Sequence, residues 1–527
     1  MIEQENILIV GGGPVGLSVA LDLAWRGTKS LLIDRFDGTV DHPRAGGMSV
    51  RTMEHCRRWG VADEVRESGF NADFPLNQRF CTSVDGFELA TARYPSLAEA
   101  PLSDKSPEKM WRCRQMWFDP ILSNAAQRSG AELRYCTELV NFEQSDEGVI
   151  CTLREVESDK TYQVSTRYLV ACDGGRSTIR EKLGIEMDGE FLGRSLSILF
   201  KADLRSAGGG ELAERFIIMT PDGPFGTITS MNGHDLWRLI VREDQEGDVD
   251  PMVHVRKAIG QADCEVEVLS IMPWRRSQML AKSYRHGNVF LAGDSAHLMV
   301  PTGGFGANTG IGDGVDLAWK LDATIKGWGG TNLLDSYEVE RRPIAARNMA
   351  AALVNYKSWN PGQELAFVCE GSSRGETARR MIGHELVKAT RAEWESTGVA
   401  LGYDYSGSPL CIEDGTPPLP DDPADYVASA RPGRRAPHAW LEDGRSSLDL
   451  FGDGYVLLRF KESEQDELVL QEAAKKGVPL KMHDIRDPRM SALYESRLVL
   501  VRPDGHVAWR GEEVKHPAYV LDVVTGA

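Results

Sequence analysis

The first 34 residues constrain the fold more than any other stretch. Residues 7–10 (ILIV) form a short apolar run with β-branched members, and Gly11, Gly12 and Gly13 follow at once. Residues 15–26 (VGLSVALDLAWR) carry apolar side chains at helical spacing and stop at Gly27. A second apolar run, SLLI at 30–33, ends at Asp34. Strand, glycine turn, helix, strand and acid in this order form a dinucleotide-binding βαβ unit. Gly11 permits the tight turn, Gly13 lets the backbone approach a pyrophosphate, and Gly16 lets the helix pack close to the strand. The helix, entered through Pro14 and Val15, turns its free N–H groups and positive dipole end toward phosphates. Asp34 lies where an acid accepts from ribose hydroxyls, and Arg35 follows it. This pattern alone does not separate NAD from FAD.

Charge narrows the partners. The chain of 527 residues has 60 Lys and Arg against 78 Asp and Glu, a net −18. No basic surplus is available for a phosphate backbone or an anionic membrane, so no nucleic-acid partner is expected. No apolar run reaches the about 18 residues of a membrane span. The N-terminal MIEQENILIV lacks the basic and apolar regions of a signal peptide. Nine scattered cysteines include no CxxC pair. They read as reduced thiols of a cytoplasmic protein, with no zinc or other metal site.

At about 100–200 residues per domain, two to four domains are expected. The spacing predicts a helix over 108–129, short strands over 132–171, and strands over 192–204 and 215–241. It predicts a buried strand at 289–292 and helix from 313 to 357. From 403 to 437 the chain is rich in Ser, Gly, Asp and Pro and reads as a linker or a wrapping connection. Strands and helices return over 439–520.

Two further motifs decide the cofactor. Residues 169–180 (LVACDGGRSTIR) are an apolar strand ending in Asp173-Gly174. Residues 289–316 read VFLAGDSAHLMVPTGGFGANTGIGDGVD. An N-terminal GxGxxG, a central DG, and a later GD before a glycine-rich helix start stand here in order. With them the chain resembles the group A flavoprotein aromatic hydroxylases, which share the para-hydroxybenzoate hydroxylase fold. Physical reasons stand beside the resemblance. Gly293-Asp294 ends a buried strand in a turn suited to a ribityl hydroxyl. The small residues from Pro301 to Asn308, with Gly304, Gly306 and Ala307 among them, let backbone lie against a flat ring. Their N–H groups can face the negative charge of a reduced flavin.

The resemblance implies an α/β fold: a Rossmann-like FAD-binding domain (1–180 and 285–400), interrupted by a β-sheet-rich substrate domain (181–284). A linker (401–437) and a thioredoxin-like domain (438–527) without CxxC would follow, as in the larger phenol and polyketide hydroxylases. It places Arg44 near the FAD pyrophosphate or NADPH, Gln115 on the ribityl chain, the Leu139 backbone at the adenine, and Asp173 near both cofactors. The Pro301 carbonyl would face the substrate, and no catalytic side chain is assigned. NADPH or NADH would reduce the FAD transiently, and oxygen from O₂ would reach a phenolic or polycyclic aromatic ring through a C4a-hydroperoxyflavin. The protein would position the ring, exclude water and let the flavin swing. Met219, Phe225 and Trp237 are the candidate substrate-pocket residues on the 192–241 strands, and a homodimer is the expected assembly. Baeyer–Villiger insertion, epoxidation and a non-oxygenating flavoprotein stay open. The aspartate expected of a phenol hydroxylase is missing, because the equivalent stretch is Arg44-Ala45-Gly46-Gly47.

Overall fold

The N-terminal apolar runs pair with one another. In the computed structural model, which describes residues 2–205, 210–242, 250–261, 263–359 and 365–527, the strand Glu3–Val10 lies parallel between Leu31–Ile33 and Thr161–Ala171. Glu132–Arg134 extends this parallel set on one side and Val289–Leu291 on the other. Ile7, Leu8, Ile9 and Leu31 to Ile33 have no exposed surface, as a parallel strand covered on both faces requires. The helix Pro14–Trp25 packs against the helix Phe305–Ile325. Small residues set that spacing: a Cβ at Gly310 would lie 2.7 Å from Val15, and one at Gly314 3.1 Å from Val19.

A second, largely antiparallel sheet stands beside the first. Its core is the long pair Met187–Lys201 and Glu267–Ala281, followed outward by Leu236–Arg242, Gly223–Ser230 and Arg215–Thr220. The sheet is not confined to residues 181–284. Gln78–Cys81 pairs in parallel with Arg215–Thr220, Glu88–Ala92 follows it, and His297–Leu298 closes the far edge. The stretches that flank the insertion thus add strands at both sides, Gln78–Cys81 along Arg215–Ile218 and His297–Leu298 at Met279 and Leu280, and satisfy the backbone groups they meet there.

Two stretches depart from their helical spacing. Over 108–129, Trp111–Arg112 is a strand paired with Gly47–Met48, and the helix starts only at Gln115 and ends at Arg128. Arg112 and Arg114 are buried against Glu214, and that ion pairing outweighs the local periodicity. Over 313–357 there are two helices, Phe305–Ile325 and Ser336–Ser358. Gly327, with φ +79°, turns the chain between them.

The 401–437 stretch is no loose linker. Tyr403, Tyr405, Leu410, Tyr426 and Ala430 are buried, as is the run Arg431–Ala436. The stretch wraps from the part built on the first two sheets onto a C-terminal unit of order β-α-β-α-β-β-α. The sheet of that unit runs Leu480–Asp484, Tyr455–Arg459, Leu498–Val501, Val507–Gly511, with only the first pair parallel. This is the thioredoxin arrangement, and it holds no CxxC.

Candidate active site

A single cavity of about 1280 Å³ runs from the carboxyl ends of the parallel strands to the face of the second sheet. That end is where open α/β sheets bind their ligands. Gly11, Gly13, Pro14 and Val15 form its floor. No side chain caps the Pro14–Trp25 helix at Gly13, and a Cβ on Gly13 would meet nothing within 4 Å. Gly16 is not on the wall. It sits so close to the turn that a Cβ would fall 1.9 Å from Gly11 O. Asp34 accepts from the N–H groups of Gly12 and Phe36, which fixes its carboxylate at the rim beside Arg35.

The other expected cofactor residues converge on this space. Arg44, Gln115, Leu139, Asp173, Asp294, Pro301, Gly304, Gly306, Ala307 and Asn308 all line it. Gly293 lies just behind, where a Cβ would meet Val15 at 2.8 Å. Its N–H donates to Asp313, which also bonds His297 and Arg341. His297 therefore anchors the GD turn from a fully buried position, and does not face the cavity. Asp294 opens onto the cavity with protein on its other sides, and that burial raises its carboxyl pKa. Asn308 is a clamp. Its Oδ1 accepts from Ser49 N–H and the Thr52 hydroxyl, and its Nδ2 donates to the carbonyls of Gly47 and Gly304. The uncapped Phe305–Ile325 helix starts at Gly304 with its N–H groups toward this wall.

Arg44 belongs to a loop tied at two points. Its N–H donates to Gln115 Oε1, 3.1 Å away. Two residues earlier, His42 sits between Ser270 Oγ (2.8 Å) and Ser197 Oγ (2.7 Å). Ser270 gives its own proton to Asp41 O, so it accepts from His42 Nδ1–H, and Nε2 accepts from Ser197. Burial, then Arg238 and Arg44, pull the His42 pKa down to about 4, and the ring stays neutral.

The substrate-side wall is not the one expected. Trp237 is fully buried, donates to Ala202 O, and packs on Phe74 and Phe216. Met219 lies in a separate apolar cluster with Phe80 and Ile217, and Phe225 packs beside His254. None of the three lines the cavity. Strand side chains alternate faces, so the neighbour of Trp237 points the other way. Arg238 pairs in register with Thr229, and Thr229 with Arg215. Cross-strand partners share a face, and all three line the cavity with Met272.

Charge on this wall is uneven. Burial would raise the Glu214 carboxyl, but Arg112 and Arg114 outweigh it and hold it down at about 2. Arg215 bonds Glu393 at 2.9 Å and stacks over Trp394. Glu393 also accepts from Gly303 N–H and Trp359, tying the end of the Ser373–Trp394 helix to the Pro301 turn. Arg238 has no carboxylate partner among the described residues. One of its Nη atoms donates to the carbonyls of Pro43 and Arg44, and its Nε is buried without a hydrogen bond. Burial beside Arg114 and Arg215 pulls its pKa down to about 9. An arginine alternating with Trp237 in LWRLIVR was the sequence signal for this wall.

These features fit FAD: two uncapped helix starts, acids at Asp34 and Asp294, open space over Gly13, and room for a second ligand. Comparison with known proteins agrees. Residues 4–352 match the family model described as an FAD binding domain, and residues 429–526 the model of the aromatic-ring hydroxylase C-terminal domain. The chain is 35% identical to the tetracenomycin A2 monooxygenase-dioxygenase of Streptomyces glaucescens, over 98% of this chain and 95% of that one. It matches the solved structure of the rebeccamycin biosynthetic enzyme RebC soaked with chromopyrrolic acid and holding 7-carboxy-K252c. That match has TM-score 0.94 and 39% identity over the whole of both chains. It also matches aklavinone-11 hydroxylase in complex with FAD and aklavinone, at TM-score 0.84 and 31% identity over the whole of both chains. Among the described residues no helix is long and apolar enough to cross a membrane. The chain belongs to the FAD-dependent aromatic-ring hydroxylases, a family of flavin monooxygenases.

Proposed function

We propose that this enzyme hydroxylates a polycyclic aromatic compound bearing an acidic group, with O₂ as oxidant and NADPH or NADH as reductant. The observation that carries this reading is the Arg215–Thr229–Arg238 row facing the cofactor cradle across one cavity. A cation without a protein acid beside it favours a carboxylate or phenolate ligand. The compounds bound in the RebC and aklavinone-11 hydroxylase structures support a large substrate, and 7-carboxy-K252c supports an acidic one.

In this reading the Gly11–Gly16 turn holds the FAD diphosphate, and Asp34, Arg35 and Leu139 hold the adenosine end. Gln115 and Asp294 hold the ribityl chain, and Pro301 to Asn308 back the flavin ring. Arg44 and Asp173 stand where NAD(P)H would approach. When bound, FAD supplies the redox chemistry and the oxygen transfer. The chain supplies placement. Arg238 fixes the acidic edge of the substrate, Met272 and Trp394 exclude water from its apolar body, and Glu393 holds that wall against the Pro301 turn. The two Glu393 oxygens already accept three hydrogen bonds, so no proton-transfer role is given to it. A homodimer and a cytoplasmic location belong to the same proposal, and nine free cysteines support a reducing compartment.

The test is NAD(P)H oxidation by the FAD-loaded protein with a panel of acidic and neutral polycyclic phenols, with peroxide counted and product mass measured. Stimulated oxidation with little peroxide and a product heavier by one oxygen on the ring is expected. Oxygen inserted into a C–C bond, or no stimulation by any aromatic, would overturn the hydroxylase reading. Arg238→Leu is expected to raise KM for an acidic substrate about 10- to 100-fold, from loss of a charged hydrogen bond of about 1.5–3 kcal/mol. A neutral analogue should lose less, because for it only the tie to the Arg44 loop is gone. Equal loss on both would remove the acidic group from the proposal.

A further inference from the structure

Asp119 is a buried acid that the reading above does not use. It lies one helical turn after Gln115 on the Gln115–Arg128 helix, is 4% exposed, and lines the cavity. Its Oδ2 accepts from Gln115 Nε2 at 3.0 Å, and the other end of that amide accepts from Arg44 N–H. Its Oδ1 is buried and has no hydrogen-bond partner. An ionised carboxylate with one bare oxygen in such a place is costly, whereas a protonated one has a hydrogen to give.

Apart from the Gln115 amide, nothing among the described residues acts on Asp119 to hold a negative charge, and no cation does. The ionisable groups that act on Asp119, or feel it, are Asp34 at the end of its strand, Tyr135 bonded to Ser123 one turn further on, and Cys113. Two of these are acids that stay neutral, and the third is a carboxylate. The Arg44 side chain is exposed. Burial, opposed by the Gln115 bond and helped by Asp34, pushes the Asp119 pKa up to about 8.

We propose that Asp119 is an FAD-binding residue that acts as a neutral carboxylic acid, its Oδ1–H donating to an oxygen of the diphosphate–ribityl stretch of the cofactor. The proposal rests on the assignment of Asp34 and Gln115 to the two ends of that stretch. Next to a diphosphate an ionised Asp119 would repel, so FAD binding favours the protonated form. Above the pKa of the free site, binding then takes up one proton.

The test is FAD affinity of the FAD-stripped full chain from pH 6 to pH 10, read by flavin fluorescence, with proton uptake read by calorimetry at pH 9 in two buffers of different ionisation enthalpy. For the natural chain Kd is expected to be flat to about pH 8 and then to rise up to tenfold per pH unit, with close to one proton taken up. Asp119→Asn keeps an acceptor for Gln115 and a donor for the cofactor. It should bind within about threefold of the natural chain at pH 7 and lose both the slope and the uptake. Asp119→Ala should bind about tenfold more weakly than the natural chain at pH 7 and should also lose the slope. An unchanged slope in Asp119→Asn, or no proton uptake by the natural chain, would overturn the proposal while leaving the FAD site intact. Failure of the natural chain to bind FAD at pH 6.5 would overturn both.

Discussion

Gly11→Ala is expected to yield a protein that does not retain FAD, with affinity lower by about 100-fold or more. Gly11 has φ +114°, a region closed to side-chain-bearing residues, and a Cβ there would lie 2.2 Å from Cys172 O. The backbone cannot slide away, because Gly11 N–H is bonded to Ile33 O on the other side. Backbone strain of about 1–3 kcal/mol and overpacking of about 1–3 kcal/mol act together on the turn. The chain relieves them by moving the cradle out of its FAD-binding shape. Gly13→Ala is the informative partner. Gly13 has an ordinary φ of −79°, and its Cβ would enter open space. That variant should unfold at the same temperature as the natural chain when both are free of FAD, yet bind FAD at least tenfold more weakly. Gly11→Ala should lose on both measures. Normal FAD binding by Gly13→Ala would mean that the diphosphate does not pass over this turn.

Arg502→Leu is expected to cost about 3–5 kcal/mol of stability, the usual loss when a buried charge network is broken from one side. Arg502 is fully buried and bonds both Glu340 oxygens, at 2.6 and 2.9 Å, and Asp504 at 2.7 Å. Lys320 bonds Asp316 and the same Glu340. Two cations thus face three carboxyl groups, and burial pushes Asp316 up to about 7 in response. Removing Arg502 would leave one cation against three acids at the junction of the C-terminal unit and the FAD-binding part. Thermal scans of the FAD-loaded protein should show the loss, as should denaturant unfolding. Adding Glu340→Leu should restore part of it, because two carboxyl groups then face Lys320 in place of three. A change under about 1 kcal/mol in the single variant would show that water enters the cluster and screens it.

How much of this was legible follows from the range of the interactions involved. The FAD cradle depends on backbone shape and on close approach, which glycines and strand ends reveal locally. Hence Gly11, Gly13, Asp34, Asp294 and Asn308 meet in one cavity as their motifs predict. The substrate wall depends on strand parity and on distant partners. Trp237 and Arg238 are adjacent, and only the pairing of Arg238 with Thr229 shows which of them faces the cavity. The strand at Trp111–Arg112 was hidden for the same reason: its partner Glu214 lies about a hundred residues away. The wrapping stretch 403–437 looks loose because its contacts are made by arginines. Arg435 bonds Glu54, and Arg434 bonds Gly402 O. The edge strands Gln78–Cys81 and Glu88–Ala92 carry no local mark of the sheet they join.

Arg238 serves two masters. One Nη holds the loop of Arg44 by its carbonyls, while the residue itself forms part of the wall on which an acidic substrate would rest. Any ligand that draws the guanidinium toward itself must weaken its hold on the loop, and any ligand that settles the loop must fix the guanidinium. The factor by which substrate alters the affinity for FAD or a pyridine nucleotide must then equal the factor by which that nucleotide alters the affinity for substrate. Through one shared side chain, each site carries information about whether the other is filled.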